Sequence, residues 1–164
     1  MLVRNGRIRM GRVLFLAVCL LVGLLLVRDV VSSKGYHLAF SQSESVTESV
    51  FWVRPHGEID NADFVMFQTP PNPYADAIAI KKIVGRPGDE IIVRDRDVWV
   101  SGRKVGTAKP LTRKGQPLTV VTPGVIPEGY VFVAGTHKDS FDSRYAEFGF
   151  IQIADIKGYA KVLF

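Results

Sequence analysis

Two segments hold the residue types in this 164-residue chain best suited to chemistry. They are Lys81-Lys82-Ile83-Val84-Gly85-Arg86-Pro87-Gly88-Asp89 and, about fifty residues later, Ser140-Phe141-Asp142-Ser143-Arg144. A serine hydroxyl is too weakly acidic to act as a nucleophile unaided, and a neutral lysine amine can take its proton. To do so near neutral pH the amine must fall from a pKa of ~10.4 to ~7–8, which costs roughly 3–4 kcal/mol at 1.36 per unit. Burial is the means, because it disfavours the ammonium form. The alternation Ala77-Ile78-Ala79-Ile80 leads into the lysine pair and a Pro-Gly-Asp turn closes the segment. Lys81 is therefore expected near the end of a strand, beside an apolar surface, with Lys82 on the opposite face in solvent.

A serine partner is offered upstream. Ser43-Glu44-Ser45-Val46-Thr47-Glu48-Ser49-Val50-Phe51 alternates with a period of two, so an extended chain directs Ser43, Ser45, Thr47, Ser49 and Phe51 to one side. Taken alone, the same serines suit a polar linker just outside a membrane. A second constellation, His137, Ser140 and Asp142, is confined to six residues, too close in sequence to converge easily on one proton path.

The elements that would position these groups begin with an apolar run. Val13 to Val27 carries no charge, with Arg4, Arg7, Arg9 and Arg12 before it and Arg28-Asp29 after it. Fifteen residues make roughly 22 Å of helix, short of a ~30 Å hydrocarbon core, with arginines at both ends able to snorkel. A cleaved signal peptide is the competing reading, but no small-x-small site follows Val27. The arginine asymmetry places the N-terminus in the cytoplasm and the remainder across the membrane, in the periplasm of a Gram-negative cell. The expected division is a cytoplasmic segment 1–12, a transmembrane anchor 13–28, a linker 29–42 and a periplasmic domain 43–164.

Short runs rich in β-branched and aromatic residues follow: Ser49 to Val53, Phe64 to Gln68, Ala77 to Val84, Glu90 to Val93, Val98 to Val100, Leu118 to Val121, Tyr130 to Ala134 and Tyr159 to Phe164. A hairpin is expected to turn at Ser101-Gly102. Beyond residue 35 no helical period is long enough for a buried helix. The fold class is mostly β, an antiparallel domain built as a partly closed barrel or folded sheets, behind one N-terminal helix. Pro70 to Tyr74 reads as a rigid surface loop, and Arg103 to Gln116 as a polar, basic, solvated insertion.

Charge and ligand chemistry narrow the function classes. Residues 1–12 hold four of the 21 basic residues and no acidic one, which leaves 17 against 16 elsewhere. A nearly neutral globular part argues against nucleic-acid binding. Cys19, the only cysteine, lies in the apolar run, so neither an intramolecular disulfide nor a thiolate zinc site can form. His37, His56 and His137 lack ligand-like spacing, and no cofactor or metal is expected.

Lys81 through Asp89 and Ser140 through Arg144 resemble two motifs of the type I signal peptidase family of Ser/Lys proteases. In that family a serine lies just beyond a membrane anchor, followed by Lys-(Arg/Lys)-x-Val-Gly-x-Pro-Gly-Asp and then a segment ending Ser-x-Asp-Ser-Arg. The resemblance runs through residues 43 to 164 in order. Around Ser45 the chain lacks the Ser-Met-x-Pro of the housekeeping enzymes. It is closer to the conjugative-transfer, TraF-type branch that processes pilins, whose Thr-x-Ser-x-Pro-x-Gly-x-Tyr pattern aligns with Ser43, Ser45, Thr47, Ser49 and Phe51. The resemblance implies Ser45 as nucleophile, with Ser43 and then Ser49 as alternatives, and Lys81 as base. It further implies Ser140 orienting the amine, Asp142 with Arg144 as a structural ion pair, and an oxyanion site made of the Ser45 N–H and the Ser43 hydroxyl.

The expected protein is thus a membrane-anchored serine endopeptidase of the inner membrane, single-pass and facing the periplasm. Its partners would be the lipid bilayer and a membrane-associated precursor or pilin, cleaved after small residues and resolved by water or by cyclisation. A general signal peptidase and a noncatalytic anchored β-domain of a secretion or conjugation apparatus are the alternatives. Arg28 to Glu44 tethers Ser45 within ~60 Å of the bilayer even when fully extended.

Overall fold

The computed structural model describes residues 4–40, 46–47, 50–59, 63–69 and 78–163. The chain divides into two units, Met1–His37 and Leu38–Phe164.

In the first unit, helix α1 runs from Arg4 to Ser33. Its apolar part, Met10–Ser33, has 24 residues and a mean hydropathy of 2.6. That is about 36 Å of helix, long and apolar enough to cross a bilayer. The helix is longer than the 13–28 span read from the apolar run, because Arg28-Asp29 does not interrupt it. The two side chains lie 3.6 Å apart as an exposed pair, and Val30-Val31 continues the apolar helix beyond them. Termination comes at Gly35, whose φ is 77°. Its N–H donates to Ser32 O at 2.9 Å, and that of Tyr36 donates to Val31 O at 3.2 Å. These are the paired bonds of a Schellman cap, for which glycine is the least strained residue.

The second unit contains eleven named strands: β1 (His37–Phe40), β2 (Val50–Arg54), β3 (Phe64–Gln68), β4 (Ile78–Gly85), β5 (Glu90–Arg94), β6 (Asp97–Val100), β7 (Arg103–Thr107), β8 (Gly124–Val125), β9 (Tyr130–Ala134), β10 (Ile151–Gln152) and β11 (Ile156–Val162). They form a seven-stranded sheet in the order β1-β2-β11-β3-β4-β9-β10 and a four-stranded sheet in the order β7-β6-β5-β8. The architecture is the expected one of folded antiparallel sheets, and neither sheet closes on itself among the described residues.

Most β runs lie within a residue or two of the expected boundaries, because alternation and burial agree there. The hairpin turns at Ser101 and Gly102, with φ of 46° and 76°, the left-handed pair that a two-residue turn between twisted strands favours. Leu118 to Val121 is not a strand. Pro117 and Pro123 flank it and supply no amide donor, and its backbone bonds go to Pro110 O and Arg144 O instead. Strand β11 begins earlier than expected, at Ile156, because Lys157-Gly158 is absorbed as a bulge against β3 rather than a break. A Cβ on Gly158 would lie 2.6 Å from Val53 Cγ1, so only glycine lets the two strands approach this closely. The stretch 29–42, read as a linker, holds the end of α1 and the whole of β1. Residues Pro70 to Tyr74 lie outside the described residues.

The main core lies between the sheets and joins Val65 and Phe67 of β3, Ile83 of β4, Ile91 of β5, Val98 and Val100 of β6 and Phe132 of β9. A smaller cluster of Val46, Phe51, Val53, Phe64 and Ala160 covers the opposite face of the larger sheet. The Arg86-Pro87-Gly88-Asp89 turn carries the chain from one sheet to the other. Asp89 N–H donates to Arg86 O at 3.0 Å, and Gly88 has φ 86°, as a type II turn requires. Asp89 also locks the turn with its carboxylate, which accepts from Arg86 N–H at 2.7 Å and from the Ser101 hydroxyl at 2.6 Å.

Gly85 has a different reason to be glycine. A Cβ there would lie 2.5 Å from Ile126 Cδ1 and 2.7 Å from Val100 Cγ1. Gly85→Ala is therefore expected to overpack the junction of the sheets and to destabilise by ~1–3 kcal/mol, read as a lowered thermal midpoint. An unchanged midpoint would show that the junction can yield.

Candidate active site

Strand β4 is a central strand of the larger sheet, and its alternation decides where the lysines go. Lys81, Ile83 and Gly85 are buried, whereas Lys82 is exposed. Lys81 pairs with Val65 on β3, a residue of the main core, so the lysine stem lies on the apolar face between the sheets.

The Lys81 side chain is 3 % exposed. Its Nζ donates to Ser140 Oγ at 2.9 Å and lies 5.8 Å from the centre of the Phe148 ring. Burial pulls the amine down from 10.5 to about 8. Asp142 opposes that shift and Arg144 adds to it. The loss of hydration outweighs the nearby carboxylate because Asp142 already has a cation of its own.

That pairing is bidentate. Arg144 Nε and Nη2 donate to the two carboxylate oxygens of Asp142, each at 2.8 Å, with the residues 3 % and 0 % exposed. Two parallel bonds match the guanidinium fork to the carboxylate. Burial disfavours the guanidinium, but the bonds and charge of Asp142 more than offset this, and the Arg144 pKa lies above its ordinary value. Asp142 also accepts from Gly135 N–H at 2.9 Å, and Arg144 Nη2 donates to Ser140 O at 2.9 Å. Ser143 locks the same loop to β9, its amide donating to Val133 O at 3.1 Å and its hydroxyl accepting from Val133 N–H at 3.1 Å. The Ser-x-Asp-Ser-Arg spacing thus gives one short loop whose members each fix a different neighbour, with Ser140 held at the lysine amine.

Of the residues singled out in the sequence, the fold brings together Lys81, Ser140, Asp142 and Arg144. Ser43, Ser45 and Ser49 lie outside the described residues. Their neighbour Thr47 is described: it sits in an exposed bend, its amide donates to Thr136 Oγ1 at 2.8 Å, and the two hydroxyls are 3.0 Å apart. Thr47 is exposed while Phe51 is fully buried, so the period-two pattern does not keep these two residues in one environment. The His137, Ser140, Asp142 constellation does not form a relay, since Ser140 serves Lys81, Asp142 serves Arg144, and His137 Nδ1 accepts from Asp139 N–H at 3.2 Å.

Three contributors had no sequence signal. Phe148 faces the amine, Thr136 meets the serine segment, and Gly106 of β7 leaves room for Arg144, whose Nη1 would lie 2.8 Å from a Cβ there. Each acts through tertiary contact alone. Among the described residues no cluster of His, Cys, Asp and Glu could hold a metal ion.

A family model described as signal peptidase, peptidase S26, matches residues 7–164. The chain belongs to this family. Membership carries a peptidase role, with hydrolysis of peptide bonds as its chemistry. The conjugal transfer protein TraF of Agrobacterium fabrum is 31% identical over 87 residues, which is 52% of this chain and 48% of that protein. The match therefore spans about half of the relative's length. A signal peptidase I from Enterococcus faecalis, known from its crystal structure, aligns with a TM-score of 0.40 and 24% identity over 63% of this chain and 97% of that one.

Two outcomes test this geometry without any substrate. The Lys81 pKa is lower folded than unfolded, so the unfolded state binds the extra proton and stability rises with pH between about 8 and 10.5. Lys81→Met is expected to be more stable than the parent by ~3 kcal/mol below that window, with the difference closing as the pH climbs through it. A pH-independent difference in denaturant midpoints would refute the buried amine. Asp142→Ala, which leaves Arg144 buried and uncompensated, is expected to destabilise by ~3–5 kcal/mol in the same measurement.

Proposed function

We propose that this family member is a membrane-anchored serine endopeptidase in which Ser45 is the nucleophile and Lys81 the general base. The observation that carries the reading is Lys81 itself, buried to 3 % exposure, with a pKa lowered to about 8 and its amine held by Ser140. Lysines are rarely buried without a partner of opposite charge. Here the closest carboxylate is committed to Arg144, so the site favours the neutral amine. Thr47, two positions beyond Ser45, bonds to Thr136, and Thr136 lies four residues before Ser140, a connection that supports Ser45 as the partner.

In this mechanism the neutral Lys81 amine takes the Ser45 proton as Oγ bonds to the scissile carbonyl carbon. The oxyanion forms against the Ser45 N–H and the Ser43 hydroxyl. Lys81 then gives its proton to the departing amine, leaving an acyl-enzyme on Ser45. Water, or the amino group of the same polypeptide, attacks that ester after losing a proton to Lys81, which releases a linear or cyclised product. Ser140 positions the amine, and the Asp142–Arg144 pair holds Ser140 in place.

The likeness to TraF supports a conjugative role, with an exported pilin precursor as substrate. A cytoplasmic N-terminus follows from the arginines at residues 4 to 12, and α1 would anchor the β unit on the periplasmic face of the inner membrane. Substrates would be membrane-associated precursors cut beyond an apolar segment.

Ser45→Ala and Lys81→Ala are each expected to lower precursor processing in membranes by roughly 10³-fold or more. Full processing by both variants would sink the reading in favour of a noncatalytic β-domain. Below about pH 8 the rate constant kcat/KM should climb about tenfold per unit as Lys81 loses its proton, then level off. Activity that is flat from acid to alkaline pH would rule out a lysine base.

A further inference from the structure

The basic insertion after β7 is a built element rather than a solvated excursion. Arg96 fastens its neck, donating to Ala108 O at 2.7 Å, Lys109 O at 2.6 Å and Leu118 O at 3.0 Å. Leu118 N–H donates to Pro110 O at 2.8 Å and Thr112 N–H to Gln116 O at 2.8 Å, so the loop folds back on itself. Lys109 joins it to the site, its amide donating to the Tyr145 hydroxyl at 3.1 Å and its ammonium pairing with Asp139.

Between this loop and the Asp139–Tyr145 segment lies a cavity of about 360 Å³, within the range of specific ligand pockets. Leu118, Phe141 and Tyr145 supply apolar walls, and Lys109, Arg113 and Lys114 a cationic rim. The one carboxylate lining it, Asp139, is already bonded to Lys109 and lies 3.9 Å from Arg113. The rim therefore keeps a positive surplus in a unit that is otherwise close to neutral.

Ser140 also lines this cavity while its hydroxyl holds the Lys81 amine. The amine that protonates a leaving nitrogen stands next to that nitrogen, so the residues attached to it depart past Ser140. We infer that this cleft receives the precursor segment that follows the scissile bond and selects for acidic side chains in it. The inference rests on the proposed Ser45 and Lys81 roles. It assigns specificity to the loop 109–116, with Arg113 and Lys114 as the discriminating charges.

The test uses the full chain in detergent and three quenched-fluorescence peptides with Ala-x-Ala before the bond. After it they carry Asp-Glu, Gln-Asn or Lys-Arg. The parent should favour the acidic over the basic peptide by about fivefold or more in kcat/KM, and the double variant Arg113→Glu, Lys114→Glu should reverse that order. Equal rates on all three peptides, or an order that survives charge reversal, overturns the inference while leaving the peptidase standing. If charge reversal changes only association with phosphatidylglycerol vesicles, the rim serves lipid and the inference also fails. To separate the two proposals, binding of the uncleaved peptides is measured on Lys81→Met. Acid-selective binding there, with no cleavage by the parent, would support the cleft and overturn the catalytic reading instead.

Discussion

The burial of one lysine amine organises the site. Lys81 has an ordinary lysine's affinity for protons in water, and the apolar space between two sheets removes much of it. Such a group destabilises the folded chain at neutral pH unless a carboxylate neutralises it. Asp142 is the carboxylate within reach, and Arg144 takes both of its oxygens. What remains for the amine is a neutral acceptor, the Ser140 hydroxyl, which orients it without restoring its charge.

That arrangement places demands on the rest of the β unit. Strand β4 must be central, so that neighbours on both sides exclude water from Lys81. The loop bearing Ser140 must also be held against β9 without a long ladder. Ser143 meets the second demand through its two bonds to Val133, and Asp142 through Gly135. The Arg-Pro-Gly-Asp turn then folds the smaller sheet over the larger, with Gly85 admitting Ile126 and Val100 at the crossing. The lysine motif is thus mostly structural: one of its nine residues presents the amine, and most of the others shape the crossing that buries it.

The opposite face of the larger sheet has a separate part. Val46 sits in the small cluster with Phe51, Val53, Phe64 and Ala160, which fixes the chain directly after the serine segment. Thr47 then reaches Thr136. The serine segment and the Ser140 loop are distant in sequence, and these two threonines are a point where they meet. Local apolar packing on one side and a short polar bridge on the other locate a segment that has no ladder of its own at that point.

By itself the sequence determined the strand alternation, the type of each turn and the spacing of the chemical groups. These depend on local sterics and on period, which is why the hairpin at Ser101-Gly102, strand β9 and the inward Lys81 beside an outward Lys82 were legible. It did not determine the extent of α1, because a charged pair inside an apolar helix reads locally as an end. Nor could it show that Leu118 to Val121 lacks a ladder or that Lys157-Gly158 is a bulge, since both depend on what lies alongside. Tertiary structure alone decided which carboxylate takes Arg144, that Phe148 faces the amine, and that the basic loop walls a cleft beside Ser140. Each is a contact between residues remote in sequence. A side chain's protonation and partners follow from the space around it, and that space exists only once the sheets have closed on each other.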